Sequence, residues 1–180
     1  MKKIITLLLL FVALSVQAAG GHLKFLGIPL NGPISAFQTK LVAKGYKLDK
    51  FYSKNTPKGA RVFDGVFTGK KAKVVVYYDT KTNNVYGAKA FFDDLSQDEA
   101  LKEYNRITTL FEKKYSSYEI KINPSMDYKN EYISTENGII TVYINKIEGI
   151  VENLSTYTVN VEYDDKVNMD KNFKSELDDL

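Results

Sequence analysis

The chain has 180 residues, of which 44% are hydrophobic and 13% aromatic, with a formal net charge of +3. Such a composition is too apolar for a disordered chain, and so small a net charge gives no electrostatic case for binding nucleic acid. The absence of cysteine excludes disulfides, thiolate zinc sites, cysteine nucleophiles and thiol redox chemistry.

Lys2 and Lys3 open a short basic region, and an apolar run from Ile4 to Val16 follows, broken only by Thr6 and Ser15. Val16-Gln17-Ala18 then places small or β-branched residues where signal peptidase requires them. This order predicts a cleaved secretory signal over 1–18. The run is shorter than the roughly 20 apolar residues a spanning helix needs, so no membrane span is expected in the mature protein. Residues 19–180 are read as one exported domain, periplasmic or secreted. About 160 residues suffice to bury a core without disulfides. Loss of Lys2 and Lys3 with the signal leaves this domain closer still to neutral.

Asn31-Gly32-Pro33 reads as a turn that opens a helix, with Pro33 suited to the first helical position. Ile34, Phe37 and Leu41 follow at helical spacing, and Gly45 suits a left-handed C-cap. Residues 55–59, which include Pro57, are expected to form an exposed loop. Arg61 to Thr68 alternates, with Val62, Asp64 and Val66 on one face and Phe63 and Phe67 on the other. Lys73 to Asp79 is a β-branched and aromatic run, and Asn83-Asn84 turns the chain into Val85 to Phe92. These segments predict a three-stranded antiparallel meander.

Ser96 and Glu99 have the spacing of a capping box. Leu101, Tyr104, Ile107, Phe111 and Tyr115 supply the apolar stripe behind it, and Lys113 and Lys114 suit the negative helix end. Strands are then expected over Tyr118 to Ile122, ending at Pro124, and over Glu131 to Thr135. Asn137-Gly138 is a strong hairpin signal leading into Ile139 to Ile147. Thr156 to Tyr163 alternates, with Tyr157, Val159, Val161 and Tyr163 inward. Residues 165–180 are read as a polar tail ending in a short acidic helix. The fold class is α+β: an antiparallel sheet of two helix-plus-meander units, about 22–94 and 95–164, packed against two helices.

Several stretches carry a likeness. His22-Leu23-Lys24-Phe25-Leu26-Gly27-Ile28-Pro29, the Asn31-Gly32 turn with its Ile34, Phe37 and Leu41 helix, Lys44-Gly45, Val62 to Gly69, and Tyr163-Asp164-Asp165 with Asn168 together resemble a group of small exported Bacteroidetes proteins of unassigned function. The element order is similar to the tandem α/β halves of β-lactamase-inhibitor-like and outer-membrane-assembly-lipoprotein folds. That second likeness implies a fold and no activity.

Candidate chemistry is sparse. His22 is the single histidine, and neither Gly-x-Ser-x-Gly nor Ser-x-x-Lys occurs, so nucleophilic hydrolysis has no visible machinery. A mature start at Gly20 would give His22 the third position of a square-planar Cu(II) or Ni(II) chelate. The expected cut after Ala18 spoils that arrangement and leaves His22 at the start of a strand. Asp93, Asp94, Asp98 and Glu99 could serve calcium or a carboxylate pair, but their placement reads first as charge favouring a helix N-terminus. Asn153-Leu154-Ser155 matches a glycosylation sequon, of little use in a bacterial chain.

Lys70, Lys71 and Lys73, with Lys81 and Lys89, are read as solvated turn and edge lysines, or as a basic rim for an anionic glycan or acidic partner. Tyrosines at 77, 78, 86, 128, 132, 143, 157 and 163 fall on strands. Tyr77 and Tyr78, being adjacent, must face opposite sides, so one face of the sheet exposes tyrosine, a residue favoured at interfaces. The expectation is a non-catalytic binding module of the cell envelope that recognises a protein or polysaccharide through Tyr77, Tyr86, Lys70 and Lys71. No cofactor, metal or catalytic residue is expected. The alternatives are a small carboxylate-dependent envelope hydrolase and a carrier of a small apolar ligand.

Overall fold

The computed structural model describes residues 21–123, 129–148 and 155–177. The expected signal, Pro124, Tyr128 and the Asn153 sequon lie outside them. Strands β1 (Lys24–Phe25) and β2 (Ile28–Pro29) form a tight hairpin ahead of helix α1 (Ile34–Ala43). Strand β3 (Lys47–Leu48) and helix α2 (Lys50–Asn55) come next. The first meander is β4 (Ala60–Phe67), β5 (Lys70–Tyr78) and β6 (Val85–Leu95), followed by α3 (Gln97–Lys114). Strands β7 (Glu119–Asn123), β8 (Asn130–Thr135), β9 (Gly138–Ile147) and β10 (Thr156–Asp165) lead to α4 (Lys166–Leu177).

Local sequence accounts for most of these elements. Pro33 is extended, at ψ 139°, and caps α1 one position before the place expected for it. Gly45 holds the left-handed conformation, at φ 89°. The capping box of α3 forms as expected, with Ser96 and Glu99 bonding each other's backbone N–H groups. At the β8–β9 hairpin, Gly138 has φ 155°, and a Cβ there would fall 2.0 Å from the Asp164 carbonyl oxygen, so only glycine fits.

The short opening strand expected at His22 forms as β1, from Lys24, and three short elements are additional to the sequence reading: β2, which folds it into a hairpin, β3 and α2. Helix α2 has no buried face to signal it and depends on Asp49, whose side chain accepts the Tyr52 N–H at 2.9 Å. It turns the expected 55–59 loop into a shorter one, since Asn55 closes the helix and Gly59 is buried. Ser53 on α2 accepts the Val62 N–H at 2.9 Å, occupying part of the β4 edge.

The large sheet has eight strands in the order β3-β4-β5-β6-β10-β9-β8-β7, antiparallel throughout. This order is a topological repeat. In each half a helix leads into four strands, the first at the edge and the last at the centre, and the halves join where β6 pairs with β10. The architecture is therefore α+β, a large antiparallel sheet with helices.

One core spans both halves. Ile34, Phe37 and Leu41 of α1 and Ile107 and Phe111 of α3 pack onto Phe63, Val74, Val76, Val142 and Val161. Phe25, fully buried, stacks on Phe67 of the first half at 5.8 Å between centroids. It also meets Tyr163 of the second half edge-on at 5.1 Å. The β1–β2 hairpin is thus a plug at the seam. At the outer end of the sheet Tyr46 lies across Gly65, where a Cβ would come within 2.1 Å of its ring. Among the described residues, no helix is long and apolar enough to cross a membrane.

Candidate binding site on the open sheet face

Alternation along the strands divides the sheet into a face covered by α1 and α3 and an opposite, open face. On β5 the covered face takes Ala72, Val74 and Val76, and the open face takes Lys73, Val75 and Tyr77. On β10, Val159, Val161 and Tyr163 point inward as expected. Thr158, Asn160, Glu162 and Asp164 take the other side.

Strand β6 breaks this rule at one position. Ala88, Ala90 and Phe92 lie in the core, so unbroken alternation would bring Tyr86 there too. Instead Tyr77 pairs with Gly87 and Tyr78 with Val85, which leaves Tyr86 as the extra residue of a β-bulge. Val85 takes the core position, fully buried. Tyr86 turns to the open face and stacks on Tyr77, with ring centroids 6.2 Å apart and planes 19° from parallel. The two expected tyrosines are therefore brought together by a bulge. Its sequence signal is Gly87, a glycine inside a strand pattern.

The pair borders a groove of about 570 Å³. Val75, Phe91 and the tyrosines give it an apolar side, and the turn at residues 56–59 closes one end. Its polar side is Asn145, Thr158 and Asn160. Lys58 and Lys89 also line it, the Lys89 Nζ lying 6.0 Å from the centre of the Tyr77 ring. Asn160 is only 4% exposed. Its amide nitrogen donates to the Thr158 hydroxyl at 2.9 Å, and no hydrogen bond among the described residues uses its carboxamide oxygen.

Two carboxylates lie alongside. Tyr143 donates its hydroxyl to Glu162 at 2.9 Å. Burial pushes the Tyr77 hydroxyl up to about 12, with Glu162 and Asp164 adding to the shift. Burial and then Glu162 raise Tyr143 as well. Both tyrosines therefore stay neutral near pH 7. Asp164 is pushed up to about 6 by burial and by Glu162.

Lys70 and Lys71 are not part of this arrangement. Lys70 lies on the covered side, where its ammonium bonds Glu103 of α3 at 2.5 Å. Arg106 completes the cluster by bonding Glu103 and the Thr68 carbonyl and hydroxyl. Lys71 shares the open face with Tyr77 but is six residues away on β5, about 20 Å at the usual rise of about 3.3 Å per residue. Lys73 is held by Asp49 at 3.3 Å and Asp64 at 2.9 Å, over the ring of Tyr52. The lysines at the β4–β5 turn are thus anchored to their own neighbours or distant from the tyrosines.

Other candidate chemistry is absorbed by structure. Glu99 is used by the capping box, whose hydrogen bonds from Ser96 lower its pKa. Among the described residues, no three His, Asp or Glu side chains are grouped to hold a metal ion. His22, just ahead of β1, bonds the buried Asp165 carboxylate through Nδ1 at 2.9 Å.

No protein-family model, curated protein or solved structure matches this chain.

Proposed function

We propose that this chain is an exported, non-catalytic binding module of the cell envelope that takes a protein or polysaccharide partner in the groove on its open sheet face. The observation that carries this reading is the β6 bulge. It withdraws Tyr86 from the core, where a strand of this composition would bury it, and stacks it on Tyr77 beside a groove. Bulges re-aim side chains where function requires it, and a partly apolar concavity with a few polar groups is the usual form of a ligand site. The test is affinity capture from native envelope extract, with the chain from Ala19 as bait and its Tyr77→Ala variant as comparison. A component retained by the parent chain and lost by the variant supports the proposal. An identical profile from both baits contradicts it.

A carboxylate-dependent hydrolase has one observation in its favour. Glu162 and Asp164 share a face of β10, about 7 Å apart along the strand. Burial raises the pKa of Asp164, as the general acid of a glycoside hydrolase requires, and Glu162 accepts the Tyr143 hydroxyl beside it. Loss of glycan-cleaving activity in Asp164→Asn, with binding retained, would favour that reading. The carrier reading has no comparable support, because Phe25, Phe37, Phe63, Leu41 and Ile107 fill the space between sheet and helices.

A further inference from the structure

Resting on the groove proposed above, we infer that its occupant is an uncharged polysaccharide chain, lying with sugar faces on Tyr77 and Tyr86 and with hydroxyl groups against Asn145, Thr158 and Asn160.

Charge is the first argument. An anionic glycan or acidic protein would need an excess of cations beside the tyrosines, and the two lysines that line the groove, Lys58 and Lys89, are matched in number by Glu162 and Asp164 beside Tyr77. Lys70 is bound to Glu103, Lys73 to two aspartates, and Lys71 lies far along the strand. Lys89 stands opposite Glu162 in the β6–β10 register, a cross-strand neighbour of opposite charge. Asp164 lies close by as a further acidic group.

The second argument is the match of surface chemistry. The two tyrosine rings are nearly parallel and offer an electron-rich face to the groove. One face of a pyranose ring carries axial C–H bonds that are complementary to such a surface. Opposite stand amides and a hydroxyl, which both donate and accept. The Asn160 oxygen, on a side chain 4% exposed, has no partner among the described residues, and the Thr158 hydroxyl accepts from Asn160 while keeping its own proton to donate. A sugar chain carries hydroxyls along its length and meets both needs. The interior of a protein interface is largely apolar and leaves buried polar groups unpaired at a cost.

The experiment uses the exported chain with soluble hexasaccharides of β-1,4-linked glucose, mannose and N-acetylglucosamine, and polygalacturonate as an anionic comparison. Binding is read by calorimetry at low and at about 0.5 M salt. The inference expects at least one neutral hexasaccharide to bind with little dependence on salt. Tyr77→Phe should keep affinity within about twofold, and Tyr77→Ala should lose about tenfold. Asn160→Ser should weaken binding while leaving thermal unfolding nearly unchanged, which separates contact from folding. Binding of polygalacturonate alone, abolished by salt, overturns the inference. So does the absence of neutral-sugar binding. If sugars fail while envelope capture returns a protein that Tyr77→Ala loses, this inference falls and the binding-module reading stands. If nothing depends on Tyr77, both fall.

Discussion

The carboxylate of Asp165 accepts the backbone N–H of Leu23 at 2.6 Å, joining the start of the described chain to the end of its last strand. The same fully buried carboxylate bonds His22 and accepts the N–H of Asn168 in the first turn of α4. The Asn168 amide in turn donates to the Leu30 and Val85 carbonyls at 2.7 and 3.0 Å. This clamp holds the β1–β2 hairpin in place, and the hairpin carries Phe25 into the seam between the halves.

Replacing Asp165 by alanine strands the buried Leu23 N–H and uncaps α4. The expected loss is about 3 kcal/mol of unfolding free energy, measured by urea denaturation. Phe25→Ala should cost a similar amount, about 3–5 kcal/mol, through the cavity it leaves. An Asp165→Ala chain as stable as its parent would show that the clamp does not hold the plug.

Glu103 is buried on α3, which by itself would raise its pKa, but hydrogen bonds from Arg106 and Lys70 outweigh burial and lower it. A depressed carboxylate stabilises the fold above its unfolded-state value near 4.5, and that stability is lost as pH falls through the lower folded value. Glu103→Gln should therefore destabilise by about 2 kcal/mol at pH 7 and show a shallower acid limb below pH 4.5. Urea midpoints at stepped pH values check both effects.

Asp164 has the opposite sign. Its pKa rises from 3.8 to about 6 on folding, so the folded state holds the proton more tightly and stability declines as pH climbs between those values. Asp164→Asn removes this decline and should be more stable than the parent at pH 7 by about 1–3 kcal/mol. A carbon-detected NMR titration of the Asp164 carboxyl measures the shift directly, and a midpoint near 4 would contradict the expectation.

Glu131 is the second carboxyl held at a cost. It is 2% exposed, its Oε1 has no hydrogen-bond partner among the described residues, and burial, aided by Glu112, raises its pKa. Glu131→Gln should be neutral or stabilising at pH 7, by about 1 kcal/mol, with its advantage growing as pH rises from 5 to 8. Thermal unfolding across that range decides the point, and a loss of stability at pH 8 would show that the ionised group has a compensating partner.

The long elements were legible because each had a strong local signal: the Ser96–Glu99 box for α3, Asn137-Gly138 for the β8–β9 hairpin, and period-two alternation for β4 and β10. A strand was expected at His22, but its pairing into the β1–β2 plug, β3 and α2 escaped because two-residue strands and a helix with no buried face leave no periodicity to read. The sequence pointed to Tyr77 and Tyr86 without showing how they meet. Tyr77 and Tyr86 stack through a single inserted residue, and a one-residue shift reverses every side chain beyond it. The lysines were harder still. Whether Lys70 is a free cation or the partner of Glu103 depends on α3 crossing the covered face, a tertiary contact no local pattern encodes.

Amide chemical-shift mapping of the isotopically labelled chain from Ala19 during titration with soluble envelope extract tests the central claim most directly. The account predicts perturbations at Tyr77, Tyr86, Lys89, Thr158 and Asn160, with Lys70, Glu103 and the rest of α3 unaffected. Perturbations centred on Lys70 and α3, or none on the open face, would contradict it.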